Sequence, residues 1–251
     1  MAGQGTIGLE IMDECPGVDT VVVPVGGGGL ISGVAAAVKG ASPGVRVMGV
    51  EAAASASLKA SFEAGRPTEV EKGHTIADGI AVKKVGEKPF AVIRRLVEGA
   101  VTVGEDSIAG GILTLLERKK LVVEGSGAAP VAAAMEGLLP TDARNVVMVL
   151  SGGNIDVNVL DRIIRLGLIR EGRVVRLATV LADEPGSLAR LTADIAGLRG
   201  NILHIVHQRD AMDAPVGTAR LEAIVEVEGP EHGRRLVEGL RDRGYEVSEG
   251  G

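Results

Sequence analysis

The stretch VVVPVGGGGLISG, residues 21–33, places four consecutive glycines between an apolar run and a segment of helix-forming residues. Glycine loses more backbone freedom on folding than any other residue, so four in a row are unfavourable unless the loop has a particular task. A glycine-rich turn from a strand into a helix directs several backbone N–H groups at one point, where the helix dipole also favours negative charge. The stretch therefore favours a phosphate-binding loop over a tight turn that serves only helix packing.

The kind of phosphate ligand is narrowed by the residues around the glycines. A P-loop would require Gly-Lys-Ser/Thr after the glycine run, whereas this chain has Gly-Leu-Ile-Ser at 29–32. A dinucleotide site would combine Gly-x-Gly-x-x-Gly with an acidic residue about 20 residues further on. Glu51 supplies such an acid, but Ile31 stands where the third glycine is required. An NAD-binding dehydrogenase therefore stays open as an alternative.

Composition excludes several classes of protein. The chain has 251 residues and a net charge of −6, without a basic block, which argues against nucleic acid or an anionic membrane as the main partner. No apolar run is long enough to span a bilayer, and the N-terminal residues lack the pattern of a secretory signal. Cys15 is the single cysteine, so no disulfide framework exists and a cytoplasmic location is expected.

Residues 1–172 alternate short β-branched runs with helical segments. The runs at 18–25, 45–50 and 145–150 are continuously apolar, as expected for strands covered on both faces. The segments 30–41 and 105–120 between them carry helix-forming residues. This alternation predicts an α/β domain with a doubly wound, mostly parallel sheet.

Residues 174–251 have a different character, because all lysines lie between Lys39 and Lys120 and only arginine is used afterwards. The segment REGR at 170–173 is the predicted linker. The pattern then predicts a strand at 174–182, a helix at 187–200, strands at 201–209 and 218–228, a helix at 230–243 and a last strand at 245–249. The order β-α-β-β-α-β is that of a ferredoxin-like domain.

Two further segments of the first domain combine a strand end with glycines. VLSGGNID, residues 149–156, has Ser151 at the end of its strand, and VVEGSGAAPVAAA, residues 122–134, places Glu124 before a glycine-rich helix start. Ligands of open α/β sheets bind at the carboxyl ends of the strands. We therefore expect one ligand to cross this edge of the sheet.

The motifs together resemble a known enzyme family. The first domain resembles the second half of a threonine dehydratase (threonine ammonia-lyase). Enzymes of this family use pyridoxal phosphate, have the tryptophan-synthase β fold type and are related to serine racemase. The resemblance rests on five motifs in this order: AGQGT at 2–6, PVGGGGLISG at 24–33, HTIADGIAV at 74–82, EGSGAA at 124–129 and LSGGNID at 150–156. Residues 174–249, with DEPGSLARL and GNILHI, resemble an ACT regulatory domain.

The resemblance implies roles for individual residues toward pyridoxal 5′-phosphate. The cofactor phosphate would be held by Gly26, Gly27, Gly28, Gly29 and the N–H of Leu30. Ser151 would face the pyridine nitrogen, Gly79 would leave room beside the ring, and Glu124 would lie near the ring edge. Gly79 as a helix stop and Glu124 as a helix cap are the structural alternatives. A hydroxyl partner weakens the ring as an electron sink, which suits dehydration of threonine or serine followed by loss of ammonia.

A metal site is not expected. Glu51 would be a cation ligand in the related racemase, but Ser57 stands here where a second carboxylate would be required. We therefore predict that Glu51 is a surface carboxylate. His204 and His207 lie three apart on a strand and face opposite sides, and His74 and His232 show no ligand spacing.

The Schiff-base lysine of the family is missing from this sequence. The resemblance implies a Ser-x-Lys-x-Arg-Gly-Ala segment, and the nearest match, SLKAS at 57–61, continues differently after Lys59. Lys59 is predicted to be a solvated helix residue. We expect residues 1–251 to be a truncated part of the enzyme and to have no threonine deaminase activity alone. A catalytically inactive, amino-acid-sensing regulatory subunit is the alternative.

The ACT-like segment implies an amino-acid effector such as isoleucine or valine. The matching positions are Asp183, Gly186, Ser187 and Leu188 in the first loop, with Asn201, Ile202 and His204 opposite. Ser187 is also a reasonable helix N-cap, and Asn201 a turn residue at a helix end. Exposed edges of such a sheet favour pairing, so a homo-oligomer is expected.

Overall fold

Strand β1, Thr20–Pro24, is buried at every residue and lies in the middle of the first unit of the chain. The computed structural model describes residues 1–209 and 215–249 and divides the chain into two units, 1–163 and 164–251. The first unit contains β1, β2 (Arg46–Ala52), β3 (Gly99–Val103), β4 (Val146–Met148), α1 (Gly5–Glu14), α2 (Gly29–Ala41), α3 (Ser57–Ala64), α4 (Glu87–Leu96), α5 (Glu105–Thr114), α6 (Gly125–Met135) and the first part of α7 (Val157–Arg170).

The four strands of the first unit form a parallel sheet in the order β3-β2-β1-β4. Val21 and Val23 of β1 join a core cluster with residues of α2 and α4. Val22 is equally buried and points to the opposite face, where α6 packs against β1, β2 and β3. Helices thus cover both faces, and the prediction of an α/β unit with a parallel sheet is confirmed.

Two features of this sheet differ from the sequence prediction. Strand β3 was not anticipated, because GAVTV at 99–103 is short and begins with glycine, which is disfavoured in strands. The run at 145–150 was expected to be covered on both faces, but the three residues of β4 are only half-buried. Both strands form the edges of the sheet, where one side of the strand has no neighbour in the described residues.

The second unit contains β5 (Val174–Ala182), α8 (Ser187–Gly197), β6 (Asn201–Gln208), β7 (Thr218–Glu226), α9 (Pro230–Asp242) and β8 (Ser248–Glu249). Its sheet has the order β6-β7-β5-β8, with every pair antiparallel. Leu221, Ala223 and Val225 of β7 face a core built with α8 and α9, whereas Glu222 and Glu226 are exposed. This confirms the predicted alternation along the strand. Residues 210–214 and 250–251 of the predicted second domain lie outside the described residues.

None of the helices in the part of the chain that the structure describes has the length and apolar character that a bilayer span requires.

Candidate active site

The glycine loop and the segment around Ser151 lie at the same edge of the first sheet. Strands β1 and β4 are parallel neighbours, and beyond their register the N–H of Val149 still donates to the carbonyl of Val22 at 2.9 Å. Both strands therefore end at one edge, with residues 25–28 following β1 and residues 149–156 following β4. The sequence prediction that these two segments meet at the carboxyl ends of the strands agrees with this geometry.

The glycine loop has unpaired N–H groups at the start of α2. Gly28 is the N-cap of the helix and has a φ of +83°, a conformation that favours glycine. A methyl group there would lie within 3.0 Å of Val85, Ile93 and Pro89. Within the described residues, the N–H groups of Gly27, Gly28, Gly29 and Leu30 donate to no acceptor. A methyl group added at Gly27 or Gly29 would meet no atom within 4 Å, so the space beside these two α-carbons is open.

The loop is connected to the segment around Gly79. A methyl group on Gly26 would lie 3.0 Å from the α-carbon of Ile80 and 3.2 Å from the carbonyl oxygen of Gly79. The N–H of Gly86 donates to the carbonyl of Gly27 at 3.1 Å, which fixes the far end of the same segment. Gly79 itself lies in a 3₁₀ turn, Asp78–Ile80, and therefore does not end a helix.

Gly79 adjoins Glu124, which in turn covers the loop after β4. A methyl group on Gly79 would lie 3.0 Å from Oε1 of Glu124, and one on Gly152 would lie 2.4 Å from its Cδ. Oε2 of Glu124 accepts a hydrogen bond from the N–H of Asn154 at 3.2 Å. Glu124 is the N-cap residue of α6, but its side chain makes no capping hydrogen bond there and binds the loop after β4 instead.

Helix α6 also places Ser151. A methyl group on Gly127 would lie 2.6 Å from the carbonyl oxygen of Ser151, so the backbone of the helix and that of the loop touch. The contacts thus form an unbroken series from Gly26 through Gly79 and Glu124 to the loop at 151–154. All eight residues proposed for the cofactor lie in this series or in the adjoining glycine loop.

Two residues at this edge were not anticipated from the sequence. Ser126 is buried in α6, and its Oγ has no hydrogen-bond partner in the described residues. Glu105, at the start of α5, accepts a hydrogen bond at 2.7 Å from the N–H of Ile76 and so holds the segment that leads to Gly79. EGSGAA marked Ser126 only as part of a motif, and Glu105 had no sequence signal beyond its place at a helix start.

The prediction that Glu51 is a surface carboxylate was wrong. Glu51 is fully buried, and its two oxygens accept hydrogen bonds from the N–H groups of Leu58 (2.6 Å) and Lys59 (2.9 Å) at the start of α3. Burial raises the pKa of Glu51, and these hydrogen bonds oppose the shift. Because both oxygens are engaged away from solvent, Glu51 cannot contact the ribose of a dinucleotide, which disfavours the NAD alternative.

Lys59 is an exposed residue of α3, as predicted. No cluster of three or more His, Cys, Asp or Glu residues suited to a metal is present in residues 1–209 and 215–249. His204 lies in β6 opposite Ile224, and His232 is buried, with Nδ1 accepting from the N–H of Glu228 at 3.0 Å.

The residues proposed for an effector fall into two sets at opposite ends of the second sheet. Ala182, next to Asp183, pairs with Thr218 at the start of β7, whereas Asn201 pairs with Glu226 at its end. These ends are eight residue steps apart along β7, which corresponds to roughly 27 Å. Ser187 lines a cavity of about 570 Å³ and His204 lines a different one of about 450 Å³. One chain therefore does not bring the two sets together.

The local roles in these sets also differ from the expected ones. Gly186, with a φ of +93°, is the N-cap of α8, and Ser187 is the first residue of the helix rather than its cap. Asn201 is not a turn residue at a helix end but begins β6, and its side chain donates to Glu226 at 3.0 Å. Asp183 pairs with Arg209 at 2.9 Å, Ile202 packs against the core of the unit, and Leu188 does the same from α8.

Sequence comparison places the first unit in a family of cofactor-dependent enzymes. A family model described as pyridoxal-phosphate dependent enzyme matches residues 1–152, and the chain belongs to this family. The L-threonine ammonia-lyase of Thermotoga maritima is 47% identical over 247 residues, and that of Geobacter sulfurreducens is 45% identical over 247 residues. Each alignment covers 98% of this chain and 61% of the relative, so the chain spans less than two thirds of the length of these proteins.

A solved structure of a related enzyme has a similar fold. A threonine deaminase from T.th. superimposes with a TM-score of 0.59 and 41% sequence identity, over 61% of this chain and 58% of that one.

The residues at the carboxyl edge fit the cofactor of the family, pyridoxal 5′-phosphate. The unpaired N–H groups at Gly27–Leu30 and the helix dipole of α2 suit a phosphate dianion. The open space beside the α-carbons of Gly27 and Gly29 leaves room for it.

Proposed function

We propose that residues 1–152 form the phosphate-binding and pyridine-binding sides of the active site of a threonine ammonia-lyase, which converts L-threonine to 2-oxobutanoate and ammonia. The observation that carries the proposal is the continuous series of contacts from the glycine loop through Gly79 and Glu124 to the loop at 151–154. The names of the two relatives, which match almost the whole of this chain, support threonine as the substrate, with serine as the close analogue.

Each group of residues has a distinct task in this proposal. The N–H groups from Gly26 to Leu30 hold the cofactor phosphate, and Ser151 faces the pyridine nitrogen. When bound, the cofactor supplies an electron sink for bond cleavage at the α- and β-carbons of the substrate. A serine hydroxyl does not keep the pyridine nitrogen protonated as a carboxylate would, so the sink stays moderate. A moderate sink suits rapid loss of a β-hydroxyl better than accumulation of a carbanion.

The amine that anchors the cofactor is proposed to come from a polypeptide segment outside residues 1–251. The sequence contains no Ser-x-Lys-x-Arg-Gly-Ala segment, and Lys59 is exposed on α3 with its N–H donating to Glu51. Lys83 and Lys84 are also exposed, in the segment between Gly79 and Gly86. The missing lysine equally supports the second candidate, a catalytically inactive subunit that senses an amino acid and pairs with a complete relative.

The test is borohydride reduction of the purified chain with one equivalent of pyridoxal 5′-phosphate, followed by intact mass and peptide mapping. We expect scattered or no labelling, and no turnover of threonine by the chain alone. A single stoichiometric adduct on one lysine, or turnover to 2-oxobutanoate, would overturn the proposal that the anchor lies elsewhere.

A second experiment supplies the anchoring segment from a relative. Co-expression with the N-terminal 150 residues or so of the Thermotoga relative, roughly one domain, is expected to restore turnover. If the two co-expressed polypeptides assemble but do not bind pyridoxal 5′-phosphate, the result would favour the inactive-subunit candidate.

For residues 174–251 we propose an ACT-type regulatory domain that binds isoleucine or valine and pairs with a second copy. The sheet order β6-β7-β5-β8 with two helices on one face supports a ferredoxin-like architecture. The two sets of effector residues lie at opposite ends of the sheet, so a site containing both needs Asp183–Leu188 from one copy and Asn201–His204 from another.

We also propose a cytoplasmic location, because the exposed thiol of Cys15 suits a reducing compartment.

Equilibrium dialysis combined with sedimentation tests the regulatory proposal. We expect isoleucine or valine to bind at millimolar concentration or below, with one site per chain in the dimer. Binding should disappear together with the dimer on dilution. Absence of any branched-chain amino acid binding, or binding to a monomer with unchanged affinity, contradicts it.

A further inference from the structure

The cavity of about 570 Å³ in the second unit lies where β8 separates from β5. It is bounded by the end of β5, by one face of α8 and by Gly244 and Tyr245. Its volume is within the range of small-molecule sites. Of the residues proposed for an effector, Ser187 lines this cavity, whereas Asn201 and His204 do not. The cavity is therefore a candidate ligand site within a single chain.

The free edge of β5 supplies backbone donors to the cavity. Asp183, directly after β5, donates its N–H to the carbonyl of Gly217 on the β7 side at 2.9 Å. Successive residues of an antiparallel strand direct their backbone groups to opposite sides, so the N–H groups of Val180 and Ala182 point away from β7. On that side β8 pairs with β5 only as far as Ala178, and within the described residues neither N–H has a strand partner.

Two guanidinium groups and one carboxylate line the cavity, and the carboxylate is already engaged. Oδ1 of Asp194 lies 3.2 Å from Nε of Arg243, and Oδ2 accepts a hydrogen bond from the hydroxyl of Tyr245 at 2.6 Å. Arg190, by contrast, makes only a long contact of 3.5 Å to Oγ of Ser187 within the described residues. The lining thus carries two positive charges against one negative charge, and that of Arg190 has no counter-ion among the residues lining the cavity.

Tyr245 shows that both arginines lie close together at this cavity. Burial raises the pKa of Tyr245, and the hydrogen bond to Asp194 raises it further. The charges of Arg190 and Arg243 oppose this shift, so both guanidinium groups lie near the phenol. The cavity therefore has a positive potential at one wall.

Ser187 adds a further donor beside Arg190. It is 8% exposed, its Oγ accepts the long contact from Arg190, and its hydroxyl donates to no acceptor in the part of the chain that the structure describes. The unengaged polar groups of the cavity are thus mainly donors, from Arg190, Ser187 and the edge of β5. The carbonyl of Val180 is an acceptor at the same edge, and at 43% exposure this residue lies open to solvent.

We propose that this cavity binds a short-chain 2-oxo acid as a monoanion. The carboxylate of the ligand pairs with Arg190, its 2-oxo oxygen accepts from the hydroxyl of Ser187, and its aliphatic chain lies on Val180. A 2-oxo acid carries acceptors and no donors, which matches this lining and its net charge. An amino acid would add an ammonium group, and both oxygens of the carboxylate that it would require are engaged. This inference goes beyond the proposed function and does not depend on the isoleucine or valine site.

Titration of the full chain with 2-oxobutanoate, followed by tyrosine fluorescence, tests the inference. Tyr245 is the single tyrosine and the chain has no tryptophan, so the emission reports on this cavity. We expect a saturable change at millimolar concentration or below. Arg190→Gln should weaken binding about 10-fold or more, because a hydrogen bond between charged groups is lost, and Arg190→Lys should bind with intermediate affinity. Arg234→Gln, at an exposed position of α9 outside the cavity, is the matched control and should bind as the wild type does.

Two analogues test the assignment of the ligand class. Butyrate lacks the 2-oxo group and 2-aminobutyrate replaces it with an ammonium, so we expect both to bind more weakly than 2-oxobutanoate. Equal or tighter binding of either analogue would overturn the assignment to a 2-oxo acid. Calorimetric titration of the same solutions distinguishes binding from collisional quenching of the tyrosine.

The decisive comparison is between wild type and Arg190→Gln. Equal affinity of the two proteins for 2-oxobutanoate, or no binding by the wild type at millimolar concentration, overturns the inference. Arg190 is exposed, so its substitution does not disturb the core of the unit. The experiment uses neither the cofactor nor turnover of threonine, so a negative result leaves the proposed function intact.

Discussion

Gly152 lies directly beneath the carboxylate of Glu124, and the N–H of Glu124 donates to the carbonyl of Gly152 at 3.3 Å. Gly152 has a φ of +90°, and a methyl group there would lie 2.4 Å from Cδ of Glu124. We expect Gly152→Ala to displace this carboxylate and to weaken pyridoxine 5′-phosphate binding at least 10-fold. It should also lower the free energy of unfolding by more than the 1–2 kcal/mol or so that left-handed backbone costs a non-glycine residue.

Gly137→Ala is the control for that experiment. Gly137 also has a positive φ, of +69°, but nothing lies within 4 Å of an added methyl group. It should lose about 1–2 kcal/mol of stability through backbone strain and keep its ligand affinity. Equal effects of the two variants on binding would show that strain, and not the position of Glu124, governs the site.

Gly27 and Gly28 are adjacent in sequence but should respond oppositely to substitution by alanine. Gly28→Ala combines a φ of +83° with collisions against Val85, Ile93 and Pro89, so we expect a loss of about 2–4 kcal/mol in the free energy of unfolding. Gly27→Ala meets no neighbouring atom and should leave stability within about 1 kcal/mol, while its methyl group enters the open space that the phosphate needs. Urea unfolding and calorimetric titration measure the two effects. A Gly27→Ala protein with wild-type affinity would contradict this placement of the phosphate.

The sequence was informative where a residue type is required by backbone geometry. The glycines at 26–29 and 152 were recognised because few side chains suit such turns, and their place at strand ends followed from the βα alternation. The hydrophobic alternation of β7 likewise follows directly from which face meets α8 and α9.

The sequence failed where the decisive factor was a long-range contact. Glu51 was misassigned to the surface, because a single carboxylate after a strand gives no sign that the start of α3 will fold over it. Ser126 and Glu105 were missed for the same reason, since their roles depend on Gly79 and Ile76, which lie about 30 to 50 residues away in sequence. The half-buried state of β4 depends on its edge position, which a local pattern does not specify.

Glu51→Ala should destabilise the first unit through α3. The substitution removes the acceptor for the N–H groups of Leu58 and Lys59 in a fully buried position, and we expect a loss of about 2 kcal/mol in the free energy of unfolding at pH 5. Ligand affinity should change little, because none of the contacts of the cofactor site passes through Glu51. Hydrogen exchange at Leu58 and Lys59 should become faster in the variant. Unchanged exchange there would show that α3 does not depend on this carboxylate.

The loss of stability caused by Glu51→Ala should depend on pH, and the raised pKa of Glu51 fixes the direction of that dependence. Burial raises the pKa of Glu51 above its ordinary value of 4.5, so the folded protein holds a proton that the unfolded chain releases. The stability that this group contributes is therefore fully present below pH 4.5 and decreases as the pH rises through the folded-state pKa. The difference in unfolding free energy between wild type and Glu51→Ala should accordingly be larger at pH 4 than at pH 7. A difference that grows with pH would mean that the pKa is lowered in the folded state.

Asp19 should show the opposite pH dependence. Its pKa is lowered from 3.8 to about 2, chiefly by the hydrogen bond from the N–H of Asn145, with further contributions from the Thr20 hydroxyl and the N–H of Arg144. The unfolded chain therefore binds the proton first on acidification, so the contribution of Asp19 is present above pH 3.8 and is lost as the pH falls to about 2. Asp19→Asn should flatten the fall in unfolding free energy between pH 5 and pH 2. Asp13→Asn, at an exposed position of α1, controls for the loss of one negative charge. Identical acid profiles for wild type and Asp19→Asn would show that the link between the starts of β1 and β4 does not depend on the charge of Asp19.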